Sequence, residues 1–436
     1  MKKTQKAVCA LAELCLSGMA PASVAKVNAS EQAAYNFEEI MHPVWESDTS
    51  YMETVLPVKN AFGGIDPIQL LYPIKEIVEV KNSALTVTYQ EGVDYTVSGG
   101  RLIISDEGNI PAMSYEEFHP QTGQSGFEAK DGGYVCFHEG DFFHSRQIVV
   151  TYTHTGNYAG YIPKSKRDLL PKVTEKLHTA ETFDLLVFGD SISVGANSSG
   201  FVDSAPYMPI YSQLFAMQLE RAYGCKVNLV NPSVGGKGVS WGLNTIDEVL
   251  AAQSNVDLAL VAFGMNDGSM RGVDFANKLS QLIKKIQTAF ADAEIMAVAT
   301  MLPNPEAKNF DLNQAFFHDT MVEQCERQGV AVVNMTDVHK SLLERKRYAD
   351  MTGNNVNHPN DYLARVYAQT LFATLQQTVI DGTEQPGETQ NSQTDSQADK
   401  TPLDAVISGC NGTAATVGAA TALGAAAMVL KKKKEE

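Results

Sequence analysis

The sequence predicts two folded regions in tandem, a small all-β sandwich followed by an α/β region of three-layer α/β/α type on a parallel sheet. Three observations carry this. Residues 55–155 are rich in short β-branched runs and lack long helical periodicity. From about residue 180 the rhythm changes to apolar strands alternating with amphipathic helices, the pattern of a parallel sheet covered on both faces. The length of 436 residues also exceeds what one hydrophobic core ordinarily serves.

In the first region, residues 84–89 alternate with β-branched side chains. Residues 95–105 hold two short runs around Ser98-Gly99-Gly100, which punctuates like a hairpin. Residues 147–152 form a further β-branched run. In the second region, strands are expected at 184–188, 226–230, 257–263, 294–300 and 330–334. Helices are expected between them at 209–223, 245–252, 274–290 and 313–328, with a last one from 361 to about 380. The domain boundaries read as 30–165 for the β region and 180–380 for the α/β region.

The ends differ in composition. Lys2, Lys3 and Lys6 precede a mostly apolar stretch, and small residues follow at Ala22, Ser23, Ala25 and Ala29, the layout of an export signal over 1–29. Glu13 interrupts that apolar stretch. Residues 381–404 are mostly Gln, Thr, Ser, Glu and Asp, with too few apolar groups to offset chain entropy, and read as a spacer. Residues 405–430 carry no charge, and Lys431 to Lys434 follow. This is the arrangement of a transmembrane anchor with a basic tail over 405–436, placing the body of the protein outside the cell and anchored to its surface.

Bulk charge and cysteine content exclude some functions. A formal charge of −17 argues against a nucleic-acid surface, which needs clustered Lys and Arg. Of the 6 cysteines no pair has metal-ligand spacing, so neither a metal site nor a dense disulfide framework is expected.

Ligands of open parallel sheets bind at the carboxyl ends of the strands. Three segments fall there. Gly189-Asp190-Ser191-Ile192-Ser193 follows the first strand, where a serine at a strand-to-loop turn exposes its hydroxyl. Asn231-Pro232-Ser233-Val234-Gly235-Gly236 follows the second, with paired glycines able to present a backbone N–H. Gly264-Met265-Asn266-Asp267 follows the third, where Asn266 can offer a side-chain amide. A fourth segment, Asn355-Val356-Asn357-His358-Pro359-Asn360-Asp361, leads into the last helix with Asn360 as its N-cap. Each alone is an ordinary turn or loop.

Together and in this order, the four segments resemble the blocks of the SGNH (GDSL-like) hydrolase superfamily, which fall on Ser191, Gly236, Asn266 and His358. The resemblance covers about 200 residues and implies the SGNH hydrolase fold. It further implies ester hydrolysis without metal or cofactor, through an acyl-enzyme on Ser191 with His358 as base. The backbone N–H groups of Ser191 and Gly236 and the Asn266 amide would form the oxyanion hole. One departure stands out: where the family has an Asp three residues before its His, position 355 is Asn. The support of His358 is therefore expected from Asn355, from a substitute acid such as Asp361 or Asp337, or from no carboxylate at all. Asp190 and Asp267 read as scaffolding of their loops.

A β region in front of an SGNH domain is similar to the two-domain carbohydrate esterases, and an external location suits a polymeric substrate. Tyr207 and Trp241 are expected to contact sugar, with Trp241 equally readable as core. The expected partner is thus an acylated, most simply acetylated, carbohydrate. The rival expectations are a lipase or short-chain acylesterase acting on lipids, and an inactive glycan-binding surface protein.

Overall fold

The computed structural model describes residues 34–376 apart from 124–125, 309 and 311. The expected export signal, spacer and membrane anchor therefore lie outside the described residues. Among the described residues no helix is long and apolar enough to cross a membrane.

Five parallel strands form the central sheet: β9 (Thr182–Gly189), β10 (Lys226–Val230), β11 (Leu258–Ala262), β12 (Glu294–Ala299) and β13 (Ala331–Asn334). Their order is β10-β9-β11-β12-β13, so the chain steps outward in opposite directions on the two sides of β9. A crevice opens at such a switch point, beyond the carboxyl ends of β9 and β11. Helices Tyr211–Tyr223, Val239–Ala251, Gly272–Ala289, Phe317–Cys325 and Asp361–Leu375 accompany the sheet. One apolar cluster joins Phe188, Val261, Ala297 and Val332 of the sheet to Ile246, Leu282 and Phe317 of three helices. On the other side, Leu185, Leu260, Val298 and Val333 pack with Phe215 and Tyr367. Alternate residues of β9, β11, β12 and β13 thus serve two cores, as a sheet covered on both faces requires. This is the SGNH hydrolase fold.

The strand-rich region before it consists of a four-stranded antiparallel sheet and two hairpins. The sheet joins β1 (Thr49–Val55), β2 (Ile74–Asn82), β3 (Thr88–Tyr89) and β8 (Ile148–His154) in the order β1-β8-β2-β3. The hairpins pair β4 (Tyr95–Ser98) with β5 (Arg101–Ile104), turning at Gly99-Gly100, and β6 (Gly126–Glu128) with β7 (Tyr134–Cys136). Both folded regions belong to one unit, within Met1–Val379.

The two folded regions share one core. Val55, Val80, Val150 and Tyr152 of the antiparallel sheet belong to the same apolar cluster as Tyr362, Val366 and Phe215 of the α/β region. Buried polar groups fasten the junction. Lys346 Nζ lies 2.6 Å from Glu53 Oε1 with both side chains inaccessible to water. It also donates to Thr54 O at 2.9 Å, while the Glu53 carboxylate accepts from Tyr152 OH and Leu71 N at 2.8 Å each. Arg365, buried in the last helix, donates to the Met52 carbonyl at 2.8 Å and the Tyr51 carbonyl at 3.2 Å. A buried ion pair without further partners is unfavourable, and here every lobe of the Glu53 carboxylate is met.

Candidate active site

Ser191 opens a single helical turn, Ser191–Val194, directly after β9. The chain can turn so sharply because of Gly189: a Cβ there would sit 2.4 Å from Ala262 O and from Ser193 Oγ. Asp190 caps the turn by accepting from Ile192 N at 3.0 Å. As first residue of the turn, Ser191 has no intrahelical partner for its own N–H. Burial raises the Asp190 carboxyl to about 7, helped by the neighbouring Asp267 and opposed by backbone N–H groups.

The glycine loop after β10 is tied to this turn. Gly189 N donates to Ser233 Oγ at 2.9 Å, and Asn231 Nδ2 donates to Ser193 O at 2.7 Å. A Cβ at Gly235 would lie 3.7 Å from Ser191 Cβ, so the loop passes beside the serine. Gly236 has φ +71°, a conformation costly for other residues, and its surroundings are open. After β11, Asn266 is exposed and donates through Nδ2 to Lys237 O at 3.0 Å, leaving its second amide hydrogen free to point elsewhere. Asp267 turns the other way. Its carboxylate accepts from Val239 N at 3.0 and 3.1 Å and so caps the helix Val239–Ala251, and burial raises it to about 6.

His358 comes from the loop before the last helix. A bridge between Thr352 and Pro359 closes this loop, and Asn354 Oδ1 accepts from the N–H groups of Val356, Asn357 and His358 at 3.0 to 3.1 Å. His358 Nε2 lies 2.8 Å from Ser191 Oγ across a separation of 167 residues. On the ring's other side, Nδ1 lies 2.6 Å from Asn197 Oδ1. The Asn197 amide is oriented by its other end, which donates through Nδ2 to Gly140 O at 3.0 Å. Its Oδ1 therefore faces the ring as an acceptor, and with the hydrogen on Nδ1 the Nε2 atom accepts from the serine hydroxyl; Asn354 Nδ2, a donor, also lies 2.9 Å from Nδ1 and suits the other tautomer. The tautomer with its hydrogen on Nδ1 is the one a general base needs, and the shorter contact, to Asn197, favours it.

The expected supports of His358 are engaged elsewhere. Asn355 has φ +60° and directs its amide to Cys136 O at 3.1 Å. Asp361 accepts from Ser199 N at 2.8 Å, holding the loop that carries Asn197. Asp337 pairs with Asn334 Nδ2 at 2.7 Å at the start of helix Met335–Leu343. The carboxylate that does reach the ring is Glu139, in the loop after β7, with Oε2 3.6 Å from Nδ1. Burial pushes its carboxyl up, but His358, Asn354 and Asn197 outweigh that and hold it below the usual carboxylate range. Neither Glu139 nor Asn197 sits in a recognisable motif. The positions follow only from the fold, which brings the loop after β7 against the loop after the serine turn.

Of the two expected sugar-contacting aromatics, Tyr207 is 59 % exposed, in the loop that begins at Asn197. Trp241 is half-buried, with its ring 5.6 Å from Phe188 and 6.4 Å from Phe263. It belongs to the packing between helix and sheet, because the helix begins at Val239 and turns that side chain inward.

A serine at the end of the first parallel strand, hydrogen-bonded to a buried histidine and flanked by a glycine loop, is an arrangement in which the hydroxyl can act as nucleophile with the imidazole as its base. Residues 187–366 match the model of the GDSL-like Lipase/Acylhydrolase family. The matched stretch runs from within β9 into the last helix and takes in Ser191, Gly236, Asn266 and His358. Curated proteins give no match. Among solved structures, a two-domain esterase active on acetylated mannans is similar at 18 % identity and TM-score 0.40, over 50 % of this chain and 55 % of that one. This chain thus spans about half of that esterase. An acetylxylan esterase from Geobacillus stearothermophilus is 15 % identical at TM-score 0.38, over 46 % of this chain and 96 % of its own. A member of the lipolytic G-D-S-L family from Veillonella parvula is 16 % identical at TM-score 0.34, over 43 % and 95 %.

Proposed function

We propose that this esterase works through an acyl-enzyme on Ser191 and removes small acyl groups, acetyl first, from a carbohydrate at the cell surface. The contact of Ser191 Oγ with His358 Nε2 at 2.8 Å carries the mechanism. His358 takes the serine proton as the hydroxyl attacks the ester carbonyl, and later returns it to the leaving alcohol. The N–H groups of Ser191 and Gly236 and the free amide hydrogen of Asn266 receive the oxyanion.

The rim of the site favours a polar alcohol. Gly235, Gly236, Asn266 and Glu139 are exposed there, and Tyr207 stands on the loop that leaves Asn197. Amide, carboxylate and phenol groups suit a hydroxyl-rich ligand, whereas a long acyl chain calls for an apolar trough. The test is mass spectrometry of acetylated plant and bacterial glycans after incubation with the enzyme, beside p-nitrophenyl esters of increasing chain length. Loss of 42-Da acetyl increments (about 42 by the chemistry of acetyl exchange for hydrogen) and a preference for acetate are expected. Intact glycans beside rapid cleavage of long-chain esters would overturn the substrate assignment and leave a lipase.

A further inference from the structure

We infer that Glu139, contributed by the strand-rich region, is the positioning carboxylate of His358, so that the charge and the hydrogen-bond acceptor of the relay come from two different side chains. The inference rests on the reading of Ser191 and His358 as nucleophile and base, and it deepens that reading.

A single aspartate beside a catalytic histidine does two things. It accepts the Nδ1–H bond, which fixes the tautomer, and its charge stabilises the imidazolium formed when the serine proton arrives. Here Asn197 Oδ1, at 2.6 Å from Nδ1, does the first. An amide carries no charge and cannot do the second. Glu139 Oε2 lies 3.6 Å from the same nitrogen, and its Oε1 accepts from Asn354 Nδ2 at 3.4 Å. Asn354 is itself fixed by three backbone donors and by Asn357 Oδ1 at 2.9 Å. Asn354 Nδ2 also lies 2.9 Å from His358 Nδ1, so this one amide stands between the carboxylate and the ring edge.

The loop carrying Glu139 is anchored at both sides. Gly140 O accepts from Asn197 Nδ2, and His144 Nε2 lies 2.7 Å from Ala205 O. The other charged and titratable groups facing this pocket are directed away from the ring. Asp141 meets Ser204 Oγ at 3.3 Å, His138 stacks on Phe142, and Asp361 faces Ser199 N with His144 Nδ1 4.0 Å from its other oxygen. Glu139 is therefore the carboxylate whose charge the imidazolium feels at close range. Its side chain is 56 % exposed, so water screens the interaction and its effect is smaller than that of a buried aspartate.

The test compares wild type with Glu139→Gln and Glu139→Asp in the full chain, measuring kcat, KM and the pH profile of kcat/KM on p-nitrophenyl acetate. Removing the charge should lower kcat about tenfold with KM little changed, a loss between that of an exposed pair and a charge-assisted bond. It should also move the acidic limb of the profile to lower pH by up to about one unit, since the protonated histidine loses its counter-charge. Glu139→Asp, which keeps the charge on a shorter stem, should recover part of both. A fall in kcat with the limb unmoved would make Glu139 merely structural, and an unchanged kcat with an unchanged limb would make it a bystander; either overturns the inference. Should Glu139→Gln melt early, Glu139→Asp decides by whether its limb stays nearer the wild type. Persistent activity in Ser191→Ala is a different failure, which would remove the base reading itself.

Discussion

Replacing Lys346 by Met should destabilise the whole folded body, strand-rich and α/β regions together. The side chains of Lys346 and Glu53 are 1 % and 0 % exposed, and their charged atoms are 2.6 Å apart. Without Lys346 the Glu53 carboxylate keeps its bonds from Tyr152, Leu71 and Ser50 but has lost its counter-charge in a site closed to water. Breaking one side of such a pair costs about 3 to 5 kcal/mol, whereas replacing both charges by neutral groups of similar volume is close to neutral. The double variant Glu53→Gln with Lys346→Met should therefore recover most of the loss. The assay is urea unfolding followed by circular dichroism and by fluorescence. The protein has 2 tryptophans, Trp45 before β1 and Trp241 beside the central sheet. Trp45→Phe and Trp241→Phe backgrounds thus make each region report separately, and both should share one midpoint that falls in Lys346→Met. Two separate midpoints, or a loss under about 1 kcal/mol, would refute the reasoning that the two regions fold as one unit.

Two further outcomes follow from the site. Asn266→Ala should lower kcat by roughly 10²- to 10³-fold with little change in KM, the cost of one oxyanion donor; steady-state kinetics on p-nitrophenyl acetate checks this. Asp190 titrates near 7 when folded against 3.8 ordinarily, so the folded state holds its proton more tightly and stability falls as pH rises from about 4 through about 7. Asp190→Asn keeps the cap on Ile192 and removes that penalty, on the order of 4 kcal/mol at most. Thermal melts should show it more stable than wild type at pH 8 and no more stable at pH 4.

The central sheet was legible because its strands are apolar runs of the right length, and β10 has the bounds expected for it, residues 226–230. The helix expected at 245–252 begins six residues earlier, at Val239. Gly238 and Gly242 make that stretch read as loop, and the cap that starts the helix comes from Asp267 on another strand end. Such a cap has no local signature. The relation between the two regions was illegible for a similar reason: periodicity tells which face of a sheet is apolar, not what covers it, and here the α/β region does. Glu139 and Asn197 stand 219 and 161 residues before His358, in loops whose sequences have no catalytic signature. Position 355 shows the limit of reading a motif by spacing. A left-handed backbone turns the Asn355 side chain to Cys136 O, and the neighbouring Asn354 takes over the ordering of the loop.

The most direct test of the account is labelling with a serine-directed phosphonate, followed by peptide mass spectrometry, in wild type and Ser191→Ala. The proximity of Ser191 Oγ to His358 Nε2 predicts one adduct, on Ser191, formed with loss of activity. Ser191→Ala should take up no label and lose at least roughly 10⁴-fold in esterase rate while melting like the wild type. An adduct on another residue, or turnover by folded Ser191→Ala at the wild-type rate, would contradict the assignment of nucleophile and base.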